Sequence, residues 1–184
     1  MIKNNFFALG YTIYNSIGEM NNLRQRLGLD KQEYTDNIEM LLSRYSYNGK
    51  ALFEKVDCLA NYKNCIGIYM FCLSEIRGIY IGQTRNNIQD RIKAHWSYPS
   101  NHFDCTFGPN DVDEIYVIKV PVAYLNDVER DCIAMVKKKY ILNGLRGGGI
   151  METVHSQVNR REDYLLMDDH LLMIKEQIIQ DVHR

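Results

Sequence analysis

The middle of the chain carries three short apolar runs and two longer segments with a helical repeat. The first run, residues 66–73, is apolar throughout, as expected of a strand that is covered on both faces. Residues 78–83 and 113–120 form the second and third runs, and both have the length and composition of strands. Residues 86–96 and 125–140 repeat their apolar positions with the period of a helix. The pattern therefore predicts the order strand, strand, helix, strand, helix.

The first sixty residues have a mainly helical pattern. Ser16 can cap a helix that ends near Leu27. Asp30 can cap a second helix, with Glu33 in the matching position of a capping box. The dipeptide Asn48-Gly49 then signals a turn.

The last part of the chain begins with three glycines and ends with an amphipathic segment. The glycines at 147–149 predict a hinge or linker, and residues 158–182 predict a helix rich in Leu, Met and Ile. Together the elements predict an α/β (α+β) fold, in which helices flank a small, mainly antiparallel sheet of three strands. We divide this compact domain into a helical N-terminal extension (1–62), a core (63–146) and a helical C-terminal extension (147–184).

Length and composition are those of an ordinary globular domain. The 184 residues are 46% hydrophobic and 24% charged, which is enough to bury one core. No apolar run reaches 18 residues and the start lacks a signal-peptide core, so we expect a cytoplasmic protein without a membrane span. The five cysteines include no Cys-x-x-Cys pair, which predicts free thiols in a reducing compartment.

The net charge of the chain does not by itself indicate a nucleic-acid partner. The formal net charge is −1, whereas a strongly basic balance would point directly to nucleic acid. If the chain binds DNA, its positive charge must be concentrated locally, or a metal ion must supply part of it.

The first two strands predict an antiparallel hairpin that carries two tyrosines. A two-residue loop at Ser74-Glu75, or a four-residue loop at 73–76, places Tyr69 directly opposite Tyr80. Opposed residues project from the same face of a sheet, so the two phenols would be neighbours. A cross-strand aromatic pair also stabilises a sheet without any further function, and that interpretation stays open.

The helix at 86–96 offers two polar residues beside its apolar stripe. Ile88, Ile92 and Trp96 form the stripe, and Arg91 and His95 lie side by side along one edge of it. From this edge both side chains can face a cleft beside the sheet. The alternative for each is a solvated flank.

The helix at 125–140 places an acid within its apolar stripe. Glu129 shares a face with Ile133 and Val136, whereas its neighbours Arg130 and Asp131 are predicted to be solvated. A carboxylate that faces the interior must be paired or bound to a cation, because isolated burial is costly. Glu129 is therefore either a structural ion-pair partner or a metal ligand.

Several of these residues belong to an ordered set. The set consists of Gly67-Ile68-Tyr69, Tyr80-Ile81-Gly82, Thr84, Asn86, Arg91, His95, Glu129 and Asn143. This set resembles the GIY-YIG nuclease family over about residues 64–146, and the ten residues between the two triplets are the family's usual spacing. The segment between the second triplet and the arginine is one residue longer than in many members, and over sixty residues precede the first triplet. The layout is most similar to the type II restriction endonuclease branch.

The resemblance implies a magnesium-dependent endonuclease that hydrolyses double-stranded DNA, as a homodimer within a restriction-modification system. Glu129 would hold Mg²⁺, with Mn²⁺ able to substitute, and Arg91 would grip a phosphate oxygen. Tyr69 is implied as the general base, although His95 could take the proton instead because its intrinsic pKa suits the role better. Tyr80 would orient the attacking water or contact the phosphate.

The remaining candidate residues have supporting roles. Asn143 is expected to tie the Glu129 helix to the hairpin, and Thr84 and Lys93 are further supporting candidates, with a solvated surface position as the alternative for Lys93. The candidate DNA contacts are His102, Lys137, Arg146 and Arg160, with a solvated surface position as the alternative for Lys137 and Arg160. The N-terminal extension would serve DNA recognition or dimerisation. The C-terminal amphipathic helix would either form the dimer or pack on its own core.

Two other functions stay open at this point. One is a nicking or structure-selective nuclease of DNA repair or of a mobile element. The other is a non-catalytic DNA-binding module that keeps the fold. The presence of Tyr69, Arg91 and Glu129 favours an enzyme, because a binding module has no chemical need for that combination.

Overall fold

The computed structural model describes residues 28–97, 109–143 and 164–182. Several sequence predictions lie outside these residues: the helix capped by Ser16, the triple glycine, and the candidate DNA contacts His102, Arg146 and Arg160.

Along the described chain one helix comes first, then five strands, and then three helices with one strand among them. In order they are α1 (Lys31–Arg44), β1 (Ser46–Tyr47), β2 (Lys50–Ala51), β3 (Glu54–Lys55), β4 (Gly67–Leu73), β5 (Gly78–Thr84), α2 (Ile88–Ser97), β6 (Glu114–Lys119), α3 (Leu125–Met135) and α4 (Asp168–Val182). The central order β4, β5, α2, β6, α3 confirms the predicted order of strand, strand, helix, strand, helix.

The main sheet has four antiparallel strands in the order β3, β6, β4, β5. All seven residues of the central strand β4 are buried, as its apolar run predicts. The prediction of three strands is wrong by one, because β3 pairs with the outer edge of β6. β3 has two exposed, charged residues and hence no hydrophobic signal; Lys55 anchors it to Glu114 at 2.5 Å.

The N-terminal extension is helical only in part. α1 begins as predicted, since the Asp30 carboxylate accepts a hydrogen bond from the Glu33 amide at 2.6 Å. The prediction of helix beyond α1 is wrong for residues 46–55, which form β1, β2 and β3. Asn48-Gly49 makes the tight turn between β1 and β2, with φ angles of 48° and 77°.

The β4–β5 hairpin has a different register from the predicted one. Tyr69 lies opposite Gly82, and Tyr80 lies opposite Phe71. The loop spans residues 74–77, one position later than expected, and its last residue Arg77 has a φ of 48°. Because side chains alternate with a period of two, this shift of two in the pairing keeps both tyrosines on one face. Their ring centroids are 6.3 Å apart.

The sheet is covered on both faces. One face carries Ile68, Met70 and Ile81 and packs in the same apolar cluster as residues of α1, α3 and α4. The other face carries Tyr69 and Phe71 and packs against α2. The molecule is therefore a sheet between two helical layers, and each face of the hairpin has its own set of neighbours.

α3 ends earlier than predicted, at Met135. Val136 is extended, and the following segment turns back to run beside β5: the Ile79 amide donates to the Tyr140 carbonyl, and the Leu142 amide donates to the Ile79 carbonyl, each at 2.8 Å. Val136 and Tyr140 are both buried, although they lie beyond the end of the helix. Their spacing of four matches a helical period, and the sequence pattern therefore predicted a longer helix.

Asp131 is fully buried, so the prediction that it is solvated is wrong. Its carboxylate accepts two hydrogen bonds from Arg44, at 2.6 and 2.8 Å, and one from the Tyr45 hydroxyl at 2.8 Å. It also accepts from the Leu166 amide at 2.7 Å. These donors come from α1, from the residue after it and from the segment before α4. Because they satisfy the Asp131 carboxylate, it can be buried without a large energetic cost.

α4 packs on its own domain. Its residues Leu171, Ile174 and Ile178 are buried in the cluster that also holds the α1 and α3 side chains. The helix begins at Asp168 rather than at 158, and residues 158–163 are outside the described ranges. Within the described residues, none of the helices combines the length and the apolar character that crossing a membrane requires.

Candidate active site

The centre of the site is a hydrogen bond between a strand and a helix. The Tyr69 hydroxyl of β4 lies 2.7 Å from His95 Nε2 of α2. Ile88 and Ile92, both fully buried, hold α2 against the sheet and carry His95, one turn after Ile92, to the sheet surface. His95 therefore faces the β4–β5 hairpin.

Three aromatic rings hold the His95 imidazole. The ring centroids of Tyr69, Phe71 and Tyr80 lie 5.6, 5.5 and 5.4 Å from that of His95, all in edge-to-face arrangements. Tyr80 is also stacked on Phe71 at 5.7 Å. The imidazole is thus fixed in orientation, and Tyr80 contributes to the site through its ring contacts.

Gly82 leaves room for the Tyr69 side chain. A Cβ atom added to Gly82 would collide with the hydroxyl and ring of Tyr69, which therefore crosses the backbone of β5 at this point. The φ of Gly82 is not in the left-handed range, so close approach is the reason for glycine here. The contact lets a residue of the central strand reach the outer edge of the sheet.

Arg91 reaches the same hydroxyl. A hydrogen bond from its guanidinium and its positive charge both lower the pKa of Tyr69. Burial, the largest effect, and the nearby Tyr80 outweigh them and raise the pKa of Tyr69 well above 10. Arg91 can only donate, so it occupies one acceptor position of the Tyr69 oxygen. The Tyr69 hydroxyl can then donate to His95 Nε2 when the imidazole is neutral and carries its hydrogen on Nδ1.

Glu129 lies at the other side of the β5 edge. Its Oε2 accepts a hydrogen bond from Gln83 Nε2 at 2.9 Å. Burial raises the pKa of Glu129 to about 7, against the opposing effects of the Gln83 bond and of the charges of Arg130 and Arg91. The negative charge of Glu129 in turn raises the pKa of Tyr69, so the two groups are electrostatically coupled across β5.

Three polar residues around Glu129 were missed by the sequence analysis. Gln83 Nε2 also donates to Asn126 Oδ1 at 2.9 Å, and Arg85 Nη2 lies 3.5 Å from the same oxygen. The alternation of β5 offered a signal for Gln83, because the position shares a face with Ile79 and Ile81. Arg85 and Asn126 are exposed, and their pattern alone does not separate them from ordinary surface residues.

The residues beside Glu129 suit a hard divalent cation. A half-buried carboxylate lies next to Gln83, whose amide oxygen is buried and has no hydrogen-bond partner. Within the described ranges no group of three or more His, Cys, Asp or Glu side chains could hold a metal ion. Magnesium is commonly held by one or two carboxylates together with water and substrate phosphate, so one acid with a neighbouring amide oxygen fits it.

Asn143 joins the return segment after α3 to the second triplet. Its side-chain oxygen accepts from the Ile81 amide at 2.9 Å, and its side-chain nitrogen donates to the Ile81 carbonyl at 2.5 Å. These two hydrogen bonds connect the segment after α3 to the β4–β5 hairpin, which is the role expected for Asn143 from the sequence. Thr84 Oγ1 accepts from the Asn86 amide at 3.3 Å at the approach to α2.

Two candidate lysines lie away from this centre. Lys93 is exposed on α2. Lys137 forms an ion pair of 2.6 Å with Glu33, so its charge is already engaged within the chain. Of the predicted set, the structure brings Tyr69, Tyr80, Arg91 and His95 into one cluster, with Glu129 coupled to it from across β5.

Comparison of the chain with protein-family models, with curated proteins and with solved structures finds no match.

Proposed function

We propose that this protein is a magnesium-dependent DNA endonuclease of the GIY-YIG type. The observation that carries the proposal is the 2.7 Å hydrogen bond between the Tyr69 hydroxyl and His95 Nε2, on a tyrosine that also binds the Arg91 guanidinium. A hydrogen-bonded tyrosine and histidine beside a cationic side chain can take a proton from an attacking water and offset negative charge on a phosphate.

Tyr69 and His95 act together on the attacking water. The raised pKa of Tyr69 keeps its hydroxyl protonated near neutral pH, so it does not serve as a preformed phenolate. As the water attacks phosphorus, the Tyr69 oxygen accepts the water proton while its own proton passes to His95 Nε2. Tyr69 and His95, the two alternatives for the general base, then act together in one proton relay, and the proton ends on the His95 imidazole.

Arg91 supplies positive charge to the same reaction. Its guanidinium has five N–H donors, so it can bind Tyr69 and a non-bridging phosphate oxygen at the same time. The bond to Tyr69 stabilises the negative charge that develops on the phenol oxygen during proton transfer.

Glu129 is the residue that would hold Mg²⁺ or Mn²⁺. When bound there, the ion supplies charge that polarises the phosphate and stabilises the departing oxygen. Burial keeps the Glu129 carboxyl partly protonated in the free protein, so its full charge is available only when a cation compensates it.

We further propose that the enzyme is a homodimer that cuts both strands of DNA at a specific sequence. One such site cuts one strand, so a double-strand cut requires two copies or two encounters. The buried stripe of α4 does not supply the dimer surface, because Leu171, Ile174 and Ile178 already pack in their own core. The exposed apolar residues of this region are Met167, Leu172 and Met173.

Incubation with supercoiled plasmid DNA tests the proposal. With Mg²⁺ we expect cleavage that EDTA stops; discrete fragments support a restriction-type enzyme, and open circles support a nicking enzyme. Glu129→Ala is expected to abolish cleavage while DNA binding stays within about tenfold. Asp127→Ala, which removes an acid two residues away on α3, is the control and should cleave normally. DNA binding without cleavage in either metal would contradict the proposal and support a binding module.

A further inference from the structure

Gln83 follows the second triplet and directs its side chain toward α3. It lies on the same side of β5 as Ile79 and Ile81, both fully buried. Its amide nitrogen donates to Glu129 Oε2 and to Asn126 Oδ1, each at 2.9 Å. An amide nitrogen carries two hydrogens, so both donors are used. The reverse orientation would place the amide oxygen against an oxygen of the Glu129 carboxylate, so this acceptor fixes which way the Gln83 amide faces.

The amide oxygen of Gln83 is left buried and without a hydrogen-bond partner in the part of the chain that the structure describes. A buried acceptor without a donor costs stability, and such a group calls for a ligand or a function. Because the oxygen and nitrogen of an amide share one carbon, Oε1 lies within a few ångströms of the Glu129 carboxylate. Two oxygen acceptors side by side attract a cation rather than an anion.

We propose that Gln83 is a second protein oxygen ligand for the divalent cation held by Glu129, an inference that rests on the proposed function. The Gln83 amide nitrogen holds Glu129 Oε2 in place, and the Gln83 amide oxygen joins the carboxylate in binding the cation. Neutral amide oxygens are accepted ligands of hard divalent cations, and two protein oxygens leave the remaining positions to water and phosphate.

Binding of Mn²⁺ to the full-length protein without DNA tests this inference. Free Mn²⁺ is measured by its electron paramagnetic resonance signal for the wild type and for Gln83→Met, which has a similar volume and no amide. We expect Gln83→Met to bind Mn²⁺ about tenfold more weakly. Asn126→Ala removes the other acceptor of the same nitrogen and should change the affinity less than about twofold. Thermal unfolding shows that each variant is folded.

Two further variants separate the possible failures. Gln83→Glu replaces the nitrogen that holds Glu129 by a second carboxylate oxygen, so Glu129 loses a hydrogen bond while the cation gains a charged ligand. Because a bound cation offsets the repulsion between the two carboxylates, we expect Mn²⁺ binding at least as tight as in the wild type. Weaker binding by folded Gln83→Glu would overturn the inference even if Gln83→Met does not fold. A folded Gln83→Met variant with wild-type affinity would overturn it directly and leave the proposed function standing. If Glu129→Ala binds Mn²⁺ as well as the wild type, Glu129 is not a metal ligand, and the metal role in the proposed function fails as well.

Discussion

Gly82 lies opposite Tyr69 in the hairpin, and the Tyr69 hydroxyl and ring occupy the space that a side chain at position 82 would need. This contact explains the glycine of the second triplet by packing rather than by backbone conformation. It also explains how a tyrosine of the central strand reaches a site at the sheet edge.

Gly82→Ala should therefore disturb the site more than the fold. The added methyl group displaces Tyr69 from His95, and we expect plasmid cleavage to fall by about 10²-fold or more, with a loss of unfolding free energy of about 1–3 kcal/mol. Urea unfolding and single-turnover cleavage measure the two effects. Combining Gly82→Ala with Tyr69→Ala should restore part of the lost stability and none of the activity. Normal cleavage by Gly82→Ala would show that the ring does not need this space.

The stability of the protein should depend on pH through Glu33. Hydrogen bonds from Lys137, Lys139 and Tyr140 lower the pKa of Glu33 from 4.5 to about 2. A carboxyl whose pKa is depressed by folding stabilises the native state above its ordinary pKa, and this contribution is lost as the pH falls toward about 2. Glu33→Gln should therefore be less stable than the wild type at pH 7, and the difference should shrink below pH 4.5.

Urea unfolding at a series of pH values measures this difference. Glu39→Gln, an exposed change on the same helix, is the control and should leave the pH profile unchanged. A Glu33→Gln deficit that stays constant from pH 7 to pH 3 would mean that Glu33 acts through packing and not through its charge.

Two arginines flank Glu129 and are expected to contact the DNA backbone. Arg85 extends from the end of β5, and Arg130 is exposed on α3, where its charge lowers the pKa of Glu129. Each phosphate contact that is lost should reduce the slope of log binding constant against log salt by about 0.9. The double change Arg85→Gln and Arg130→Gln should therefore reduce this slope by about 2. Binding is measured in a Glu129→Ala background, so that the DNA is not cleaved during the experiment. Lys50→Gln, on the β2 strand, should leave the slope unchanged, and an unchanged slope in the arginine variant would place the DNA elsewhere.

The sequence predicted those parts of the structure that carry a strong apolar pattern. Strands β4, β5 and β6 were found from their short apolar runs, and helix α2 was found from the helical period of its apolar residues. β3 was missed because its two residues, Glu54 and Lys55, are charged, and their pairing with β6 joins residues that are far apart in the chain. The hairpin register was wrong because the loop ends in a non-glycine residue, Arg77, with positive φ, which no turn rule predicts.

Site residues were predicted from the sequence where the pattern of a single helix or strand indicates the position of the side chain. His95 and Arg91 were predicted in this way, because both lie beside the apolar stripe of α2. Contacts between side chains of different elements were missed. The partnership of Gln83 with Glu129 depends on how β5 and α3 pack together, and the burial of Asp131 depends on α1, α3 and the segment before α4. Contacts of this kind join residues that are far apart in the chain, and local periodicity carries no information about them.

The measurement that tests the relay most directly is single-turnover cleavage by Tyr69→Phe, His95→Ala and the double variant. Each single change breaks the same chain of proton transfer and should slow cleavage by about 10²–10⁴-fold. Because the two residues act as a unit, the double variant should be no slower than the slower single variant. Losses that multiply in the double variant, or a Tyr69→Phe variant that cleaves at the wild-type rate, would contradict the relay.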